Sequence, residues 1–282
     1  METGSSSMKM LSLPTEPRQA ALAGAGIASP HNAGEAFRNP LAGVADTSLS
    51  LSFSKTNLSD LIGASRMSML AHTMYGNWHL TTGMESLNYD KIQEYTADGL
   101  TADGLSFSSG MVAMQFGIAR TFNSMSAGLI ARYANHNIYD YYGHGILFDG
   151  GVKYNLHKYF DLGAVFNNFG WIISNAKEHE IAPLSFQAGV TASLPLLLGF
   201  TGAFSADIYR RTDFEREFRT GLELLYRELL SFKLGFPISD NENNALSAGF
   251  AVKIGSIAAE YAYQNRAVLE ANHVFGISLY FY

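Results

Sequence analysis

Charged and histidine side chains recur at alternate positions along much of this sequence, opposite apolar residues. On extended strands such residues share one face, because successive side chains point to opposite sides of a strand. Both signs of charge occur on this face, which suits a selective pore lining, a docking surface for an interior segment, or a structural network of ion pairs. The residues assigned to this face are Arg66, His72, Arg132, His136, Asp149, Lys153, Asp207, Glu217, Arg219, Glu223, Lys233, Lys253 and Glu260.

The same residue types give little support for catalysis. The sequence has no cysteine, which excludes disulfides, cysteine-based metal sites and cysteine nucleophiles. Its eight histidines are scattered, and none forms an evident Ser–His–acid group or a metal-ligand spacing. We therefore predict a protein that is not an enzyme, with no catalytic residue, no metal site and no cofactor. A net charge of −6 without a Lys/Arg run also argues against nucleic acid as a partner.

The elements that position the polar face are predicted to be long β-strands. Alternation with a period of two recurs after residue 46, most plainly in SLSLSFS at 48–54. Most of the predicted strands have at least nine residues, whereas strands of soluble proteins usually have about five or six and membrane-crossing strands need about 9–11. The fourteen predicted strands are 47–57, 64–74, 77–88, 107–121, 125–138, 145–155, 158–169, 184–194, 199–209, 214–226, 229–237, 245–254, 256–265 and 273–281.

The connections between these strands alternate in length. Those after even-numbered strands are tight, and those after odd-numbered strands are longer, as at 89–106 and 170–183. Transmembrane barrels show this asymmetry between short periplasmic turns and longer outer loops. The sequence therefore predicts an all-β fold, a fourteen-stranded antiparallel transmembrane β-barrel. The alternative is a soluble all-β binding protein, a β-sandwich with its apolar faces buried; the strand lengths and the alternation of loop lengths together favour the barrel. The low charged fraction of 16% suits a barrel lumen or a repetitive β surface better than a helical bundle.

The end of the sequence, HVFGISLYFY, fits the last strand of a closed barrel. Apolar residues occupy one face of this strand: Phe275, Ile277, Leu279 and Phe281. In a closed barrel the last strand pairs with the first, so that no strand edge is left open. Phe281 would then lie in the aromatic girdle at the membrane interface.

An Ala- and Gly-rich stretch without strand alternation precedes the strands, at residues 18–45. Gly24 and Gly26 do not make a dinucleotide-binding loop, because the third glycine and the strand–helix unit are missing. The sequence divides into a leader or tag remnant at 1–17, a luminal plug segment at 18–46 with a short helix or loop, and the barrel at 47–282.

The plug sequence AALAGAGIASPHNAGEAFRNPLAGVA resembles the N-terminal signature of FadL-like outer-membrane proteins, and more closely that of the PorV/PorQ family. Gly24, Gly26, Asn39 and Pro40 match the signature, and Leu41 stands where alanine is usual. The stretches at 83–99 and 165–170 resemble PorQ-type chains. The resemblance implies a fourteen-stranded barrel in the bacterial outer membrane, assembled through the apolar residues of the C-terminal strand by the barrel-assembly machinery.

The resemblance also implies a function without catalysis. PorV/PorQ-like members are components of the type IX protein secretion and surface attachment machinery, where they contact surface or secretion proteins. More distant FadL-like members conduct hydrophobic small molecules, and this is the alternative function. Aromatic residues in the predicted outer loops are candidate contacts with a protein partner, with packing within the loops as the favoured alternative; they are Tyr139, Tyr141, Tyr142 and Trp171.

Overall fold

A computed structural model describes twelve segments of the chain. They are residues 6–42, 49–59, 63–90, 92–93, 95–96, 99–100, 106–107, 109–175, 179–213, 216–239, 245–265 and 270–281. Residues 1–5 and 43–48, at the predicted region boundaries, lie outside these segments. Among the described residues, no helix has both the length and the apolar character needed to cross a membrane.

Fourteen long antiparallel strands form one closed barrel, so the predicted fold is confirmed. Each strand pairs with its sequence neighbours, and the last strand closes the barrel on the first through pairs running from Leu49↔Phe281 to Asn57↔His273. The strands are β1 (Leu49–Ser59), β2 (Ala64–Tyr75), β3 (Trp78–Asn88), β4 (Ser109–Phe122), β5 (Met125–Ile138), β6 (Tyr141–His157), β7 (Phe160–Ser174), β8 (Ser185–Pro195), β9 (Phe200–Arg211), β10 (Glu217–Tyr226), β11 (Leu230–Ser239), β12 (Ser247–Ile254), β13 (Ile257–Gln264) and β14 (Asn272–Phe281).

The two faces of the barrel wall differ as the period of two predicts. Large apolar side chains cover the outer face and are exposed, as at Phe116, Leu129 and Phe232. Polar side chains fill the inner face and are buried, as at Gln115 and Arg132. A soluble protein shows the reverse arrangement, whereas a barrel in lipid exposes its apolar face to hydrocarbon.

Most of the connections follow the predicted parity. The turns after even-numbered strands are short, and several of their residues adopt a positive φ, including Gly76, Asn123 and Gly255. Positive φ at turn residues matches the right-handed twist of two paired strands. One odd-numbered connection departs from the pattern, because β5 and β6 are joined by Tyr139 and Asp140 alone. The end of the barrel with the six short turns is here called the short-turn end, and the opposite end the long-loop end.

The barrel encloses residues 6–42, here called the interior segment. It contains a 3-10 helix (Lys9–Ser12), the helix α1 (Pro17–Ala21) and a second 3-10 helix (Ala33–Phe37). It begins before the predicted boundary at residue 18, because Met8, Met10 and Leu11 are buried against apolar inner-wall residues that include Leu87 and Leu147. The remaining elements are the 3-10 turn Leu197–Gly199 and five two-residue strands at Ile92–Gln93, Tyr95–Thr96, Gly99–Leu100, Ser106–Phe107 and His179–Glu180.

Candidate functional site in the barrel interior

Arg66 anchors the early part of the interior segment to β2. Its guanidinium donates hydrogen bonds to the carbonyl oxygen of Leu13 at 3.0 Å and to Thr15 Oγ1 at 2.7 Å. On the wall it pairs with Glu85 of β3, and both side chains are almost fully buried. The wall therefore holds this stretch by contacts to its backbone as well as to a side chain.

A second anchor joins the end of the interior segment to β5, β6 and β7. Arg132 Nη2 donates to the carbonyl oxygen of Phe37 and to Asp149 Oδ2, each at 2.7 Å. Asp149 in turn accepts a hydrogen bond of 2.6 Å from the backbone N–H of Asn168. Asn168 has φ +62° at a bulge in β7, where the pairing register with β6 shifts. The bulge thus turns a backbone donor inward to complete a buried polar network.

The third anchor connects α1 to the opposite part of the wall. Arg18 lies 3.2 Å from Glu35 of the interior segment and 3.0 Å from Glu223 of β10. Lys233 of β11 lies 3.3 Å from Glu260 of β13, and Asn32 Nδ2 donates to Glu260 at 3.1 Å. Burial lowers the pKa of Arg18, but the nearby carboxylates of Glu223 and Glu35 raise it more, so that the pKa lies above its usual value.

Glycines on three neighbouring strands let α1 approach the wall closely. A Cβ atom at Gly235 would lie 2.1 Å from the backbone carbon of Leu22, and one at Gly249 would lie 2.6 Å from the Cβ of Ala21. At Gly221 a Cβ atom would lie 3.0 Å from a methyl carbon of Leu22. These distances leave no room for side chains, so α1 is packed directly against the backbone of β10, β11 and β12.

The residues of the resemblance motif shape the interior segment. Gly24 and Gly26 have φ values of +79° and +91° at the turn after α1, where the carbonyl oxygen of Gly24 accepts from Gln187 Nε2 at 2.7 Å. Asn39 donates to the carbonyl oxygen of Ile27 at 2.9 Å, which ties the two halves of the segment together. Pro40 packs against β5, where a Cβ atom at Gly128 would lie 2.7 Å from its carbonyl oxygen.

Two cavities flank α1 along the wall formed by β8 to β14. The larger, here the outer cavity, has a volume of about 650 Å³ and lies at the long-loop end, with Gln187, Arg219 and Pro237 on its wall side. The smaller, the inner cavity, has a volume of about 330 Å³ and lies towards the short-turn end, with Lys253 and Tyr280 in its lining. Arg18 lines the inner cavity and its partner Glu35 lines the outer one. The ion pair of α1 therefore stands between the two cavities.

The outer cavity contains a buried arginine that has no acidic partner among the described residues. Arg38 is only 7% exposed, and its Nε and Nη1 have no hydrogen-bond partner in the described part of the chain. Burial lowers the pKa of Arg38 to about 10, and the cations Arg219, Arg66 and Arg132 lower it further against an opposing effect of Tyr209.

The structure places all thirteen sequence-assigned polar residues on the inner face of the wall. It brings six of them into the anchors described above. Arg219 pairs with Glu217 and lies over the ring of Tyr209, with its Cζ 3.6 Å from the ring centroid. Others form pairs elsewhere: Lys153 lies 3.1 Å from Asp161, His136 lies 3.6 Å from Glu180, and the ring of His72 is stacked on His79. Lys253 lies over the ring of Tyr280.

Sequence reasoning missed the functional side chains of the interior segment. Arg18, Glu35 and Arg38 lie in a stretch without alternation, so the period-two signal that found the wall residues could not find them. Their charge in an otherwise Ala- and Gly-rich stretch was the available signal. Asn168 was also missed as an inward group, since only the bulge in β7 turns it to the inside.

The predicted partner-contact aromatics are not in long loops. Tyr141 and Tyr142 begin β6 and Trp171 lies within β7, because the β5–β6 ladder continues to a two-residue turn at Tyr139. Tyr139, Tyr142 and Trp171 are exposed, whereas the hydroxyl of Tyr141 is bonded to Glu180. The apolar residues of β14, from Phe275 to Phe281, face outwards.

Comparisons with known proteins identify the fold. No protein-family model matches the sequence, and neither does any curated protein. Among solved structures, the monoaromatic hydrocarbon channel CymD has a TM-score of 0.65 at 13% identity, over 95% of this chain and 98% of that one. The toluene transporter TbuX of Ralstonia pickettii has a TM-score of 0.62 at 13% identity, with the same coverage. The toluene transporter TodX of P. putida has 0.61 at 11% identity, again with that coverage.

The chain therefore has the fold of FadL-like outer-membrane channels, a closed fourteen-stranded barrel around an N-terminal interior segment. The three similar proteins are described as channels or transporters, and none of them as an enzyme. At this level of identity the likeness concerns the fold alone. It supports the FadL-like part of the resemblance in the sequence, while the finer assignment to PorV/PorQ stays a prediction.

Proposed function

We propose that this protein is an outer-membrane channel for small hydrophobic molecules. The observation that carries the proposal is the pair of cavities on either side of α1, with Arg18 and Glu35 between them. The full-length similarity in fold to a monoaromatic hydrocarbon channel and to two toluene transporters supports the same function.

The route follows the wall from β8 to β14. A solute enters the outer cavity at the long-loop end, where apolar residues such as Leu13, Ile27 and Pro237 contribute to the lining. Movement of α1 away from the wall joins this cavity to the inner one. The solute then leaves at the short-turn end past Leu229 and Leu230, which line the inner cavity. The interior segment is thus the gate.

The outer membrane is the proposed location, with lipid as the partner of the outer face. The exposed apolar positions on the strands suit a hydrocarbon environment, in which a lysine or arginine at mid-depth would cost roughly 2–4 kcal/mol. The outward side chains of β14 are the proposed signal for the barrel-assembly machinery. Neither proposal needs a cofactor or a catalytic residue.

Uptake by whole cells tests the channel. A Gram-negative host with an intact lipopolysaccharide layer expresses the protein, and entry of radiolabelled toluene is compared with a host carrying the empty vector. We expect uptake to rise at least threefold. In a parallel assay, proteoliposomes should not swell in arabinose, because residues 6–42 fill the interior. Unchanged toluene entry from a correctly inserted barrel would contradict the proposal.

A type IX scaffold of the PorV/PorQ kind is the second candidate. The observation in its favour is that the interior segment fills the lumen, as a protein that acts through surface contacts would permit. Exposed Tyr139, Tyr142 and Trp171 at the long-loop end are then the proposed contacts with surface or secretion proteins. Replacing all three with serine should release type IX cargo from the cell surface if the scaffold function is correct, and should leave toluene uptake unchanged.

A further inference from the structure

Arg38 is the cation of the outer cavity for which the described residues supply no acidic partner. Two other arginines line the same cavity, but Arg219 pairs with Glu217 at 2.9 Å and Arg211 pairs with Asp213. A buried guanidinium without an acidic partner is costly, and proteins normally pair such a group. This arrangement is what a binding site for an anion would show before the anion enters.

The nearby carboxylates are already committed to other groups. Glu35, which also lines the cavity, is bonded to Arg18 and accepts from the backbone N–H of His31 at 3.1 Å. Asp207 Oδ2 accepts from the backbone N–H of Ile27 at 3.0 Å and from Gln187 Nε2 at 2.8 Å. Its Oδ1 lies beside Gly189 and has no hydrogen-bond partner among the described residues. A rearrangement that moved the carboxylate of Glu35 or Asp207 to Arg38 would break the hydrogen bonds named above.

The rest of the lining describes the body of the ligand. The polar part of the lining consists of three arginines, two glutamates, three glutamines, one tyrosine, one asparagine and two serines. The cavity also presents apolar groups of both the interior segment and the wall; these are Leu13, Pro14, Ala23, Ala25, Ile27, Pro237 and Ala245. A volume of about 650 Å³ lies within the range of roughly 300–1,000 Å³ that is usual for small-molecule sites. One cation without an acidic partner among the described residues, together with the apolar part of the lining, fits a compact amphiphile with a single negative charge.

We infer that the outer cavity binds a compact aromatic carboxylate, with the carboxylate on Arg38 and the ring against the apolar lining. Arg38 is then a specificity-determining residue that makes the channel prefer such an acid to the neutral hydrocarbon of the same shape. An arginine–carboxylate bond in a water-poor site is strong, because both partners are charged and the guanidinium presents its donors in one plane. This inference rests on the proposed function and names its substrate class.

Benzoate and toluene test the inference, because they share a ring and differ in the carboxylate that replaces the methyl group. The full chain is placed in nanodiscs, and binding of each radiolabelled compound is measured by equilibrium dialysis at pH 7.5 against empty nanodiscs. We expect benzoate to bind at least tenfold more tightly than toluene. Arg38→Gln should weaken benzoate binding at least tenfold and change toluene binding less than twofold.

Two variants keep the test decisive. Arg38→Lys retains the charge and should keep benzoate binding within a few-fold of the native value. Lys153→Gln removes a cation that lines neither cavity and should have no effect. Heat-modifiable mobility on a gel shows which variants are closed barrels. If Arg38→Gln does not fold, the ratio of benzoate affinity to toluene affinity in the native chain and in Arg38→Lys still tests the inference. A ratio below ten in the native chain would contradict it.

The outcomes separate the inference from the proposed function. Toluene binding without benzoate binding would overturn the inference and leave the hydrophobic channel standing. Benzoate binding that survives Arg38→Gln in a folded barrel would overturn the assignment to Arg38. Binding of neither compound would count against both the site and the channel. Binding of a long-chain fatty acid but not of benzoate would overturn the compact aromatic class.

Discussion

The guanidinium of Arg18 on α1 lies 3.0 Å from the carboxylate of Glu223 on β10, and both side chains are almost fully buried. Because Arg18 also pairs with Glu35, one side chain links the helix, the second half of the interior segment and the barrel wall. This link stands between the two cavities. The position of α1, and with it the continuity of the path, therefore depends on Arg18.

Loss of Arg18 should loosen the gate. Arg18→Gln leaves Glu35 and Glu223 buried without their main partner, and breaking a buried ion pair typically costs about 3–5 kcal/mol. We expect higher single-channel conductance in planar bilayers and faster proteolysis of the interior segment. Lys153→Gln is the matched control, because its partner Asp161 is on the wall and both are partly exposed. Equal conductance of the two variants would contradict the role of Arg18.

The glycine surface under α1 gives a second test of the gate. Gly235→Val places a side chain where the backbone of Leu22 now lies, so α1 must move away from β11. We expect conductance to rise while the heat-modifiable mobility of the barrel is kept. Gly202→Val is the control, since a Cβ atom there would meet only the flexible side chain of Leu196, at 3.1 Å. If the conductance of Gly235→Val equals that of the native chain, the close contact with the wall does not hold α1 in place.

The network of Arg132 and Asp149 should behave as one unit. Arg132→Met leaves the Asp149 carboxylate buried and removes the bond to the Phe37 carbonyl, so we expect a loss of about 3–5 kcal/mol in the free energy of unfolding. The double variant Arg132→Met/Asp149→Leu should recover at least half of that loss, because no buried charge remains. The free energies of unfolding of the native chain, the two single variants and the double variant are measured in guanidinium chloride with detergent. If the losses of the single variants add up in the double variant, Arg132 and Asp149 are not coupled.

Glu16 should make the interior segment sensitive to pH. Burial and the carboxylates of Glu260 and Glu35 raise the pKa of the Glu16 carboxyl well above its usual value of 4.5, against opposing effects of Arg66 and Ser54. A raised pKa in the folded state stabilises the fold below about pH 4.5, and this contribution is lost as the pH rises through the folded-state pKa. Glu16→Gln should therefore remove part of the decline in unfolding midpoint on the alkaline side. An unchanged pH profile would contradict a protonated Glu16.

Arg38 should limit stability in the absence of ligand. Because burial lowers the pKa of Arg38 from its usual value to about 10 in the folded state, the charged form costs stability at neutral pH, and stability should rise as the pH increases above 10. Arg38→Met should raise the free energy of unfolding by about 1–3 kcal/mol at pH 7.5. The comparison uses heat-induced mobility shifts of the native and variant barrels. A strongly destabilised variant would mean that Arg38 is a structural residue.

The barrel could be predicted from the sequence because its wall follows a period of two. Long alternating segments, tight turns at one end and a last strand with one apolar face all follow from membrane geometry, and the fourteen observed strands follow the predicted ones closely. The error at Tyr139 to Tyr142 arose because a two-residue turn with a positive φ at Tyr139 needs neither glycine nor asparagine, the residues that usually mark it.

The site could be predicted only on its wall side. The alternation with a period of two predicted the inward position of Glu223, Asp149 and Arg132. The groups of the interior segment that face them lie in a stretch without regular alternation. The partners of Arg18 are separated from it by 17 and 205 positions, and nothing local in the sequence indicates such contacts. The two cavities likewise follow from how α1 sits on glycines of three strands, which is a property of the assembled barrel.

Locking the interior segment to the wall tests the central claim most directly. The chain contains no cysteine, and a Cβ atom at Gly221 would lie 3.3 Å from that of Ala25, close to the roughly 3.5–4.5 Å of a disulfide. Toluene uptake is measured in cells that carry Ala25→Cys/Gly221→Cys, before and after reduction with a phosphine. Cells that carry each single variant are treated in the same way as controls. The gate predicts little uptake in the oxidised state and recovery to the level of the single variants on reduction. Uptake that is equal in the two states would show that solutes pass without movement of the interior segment, and would contradict the account.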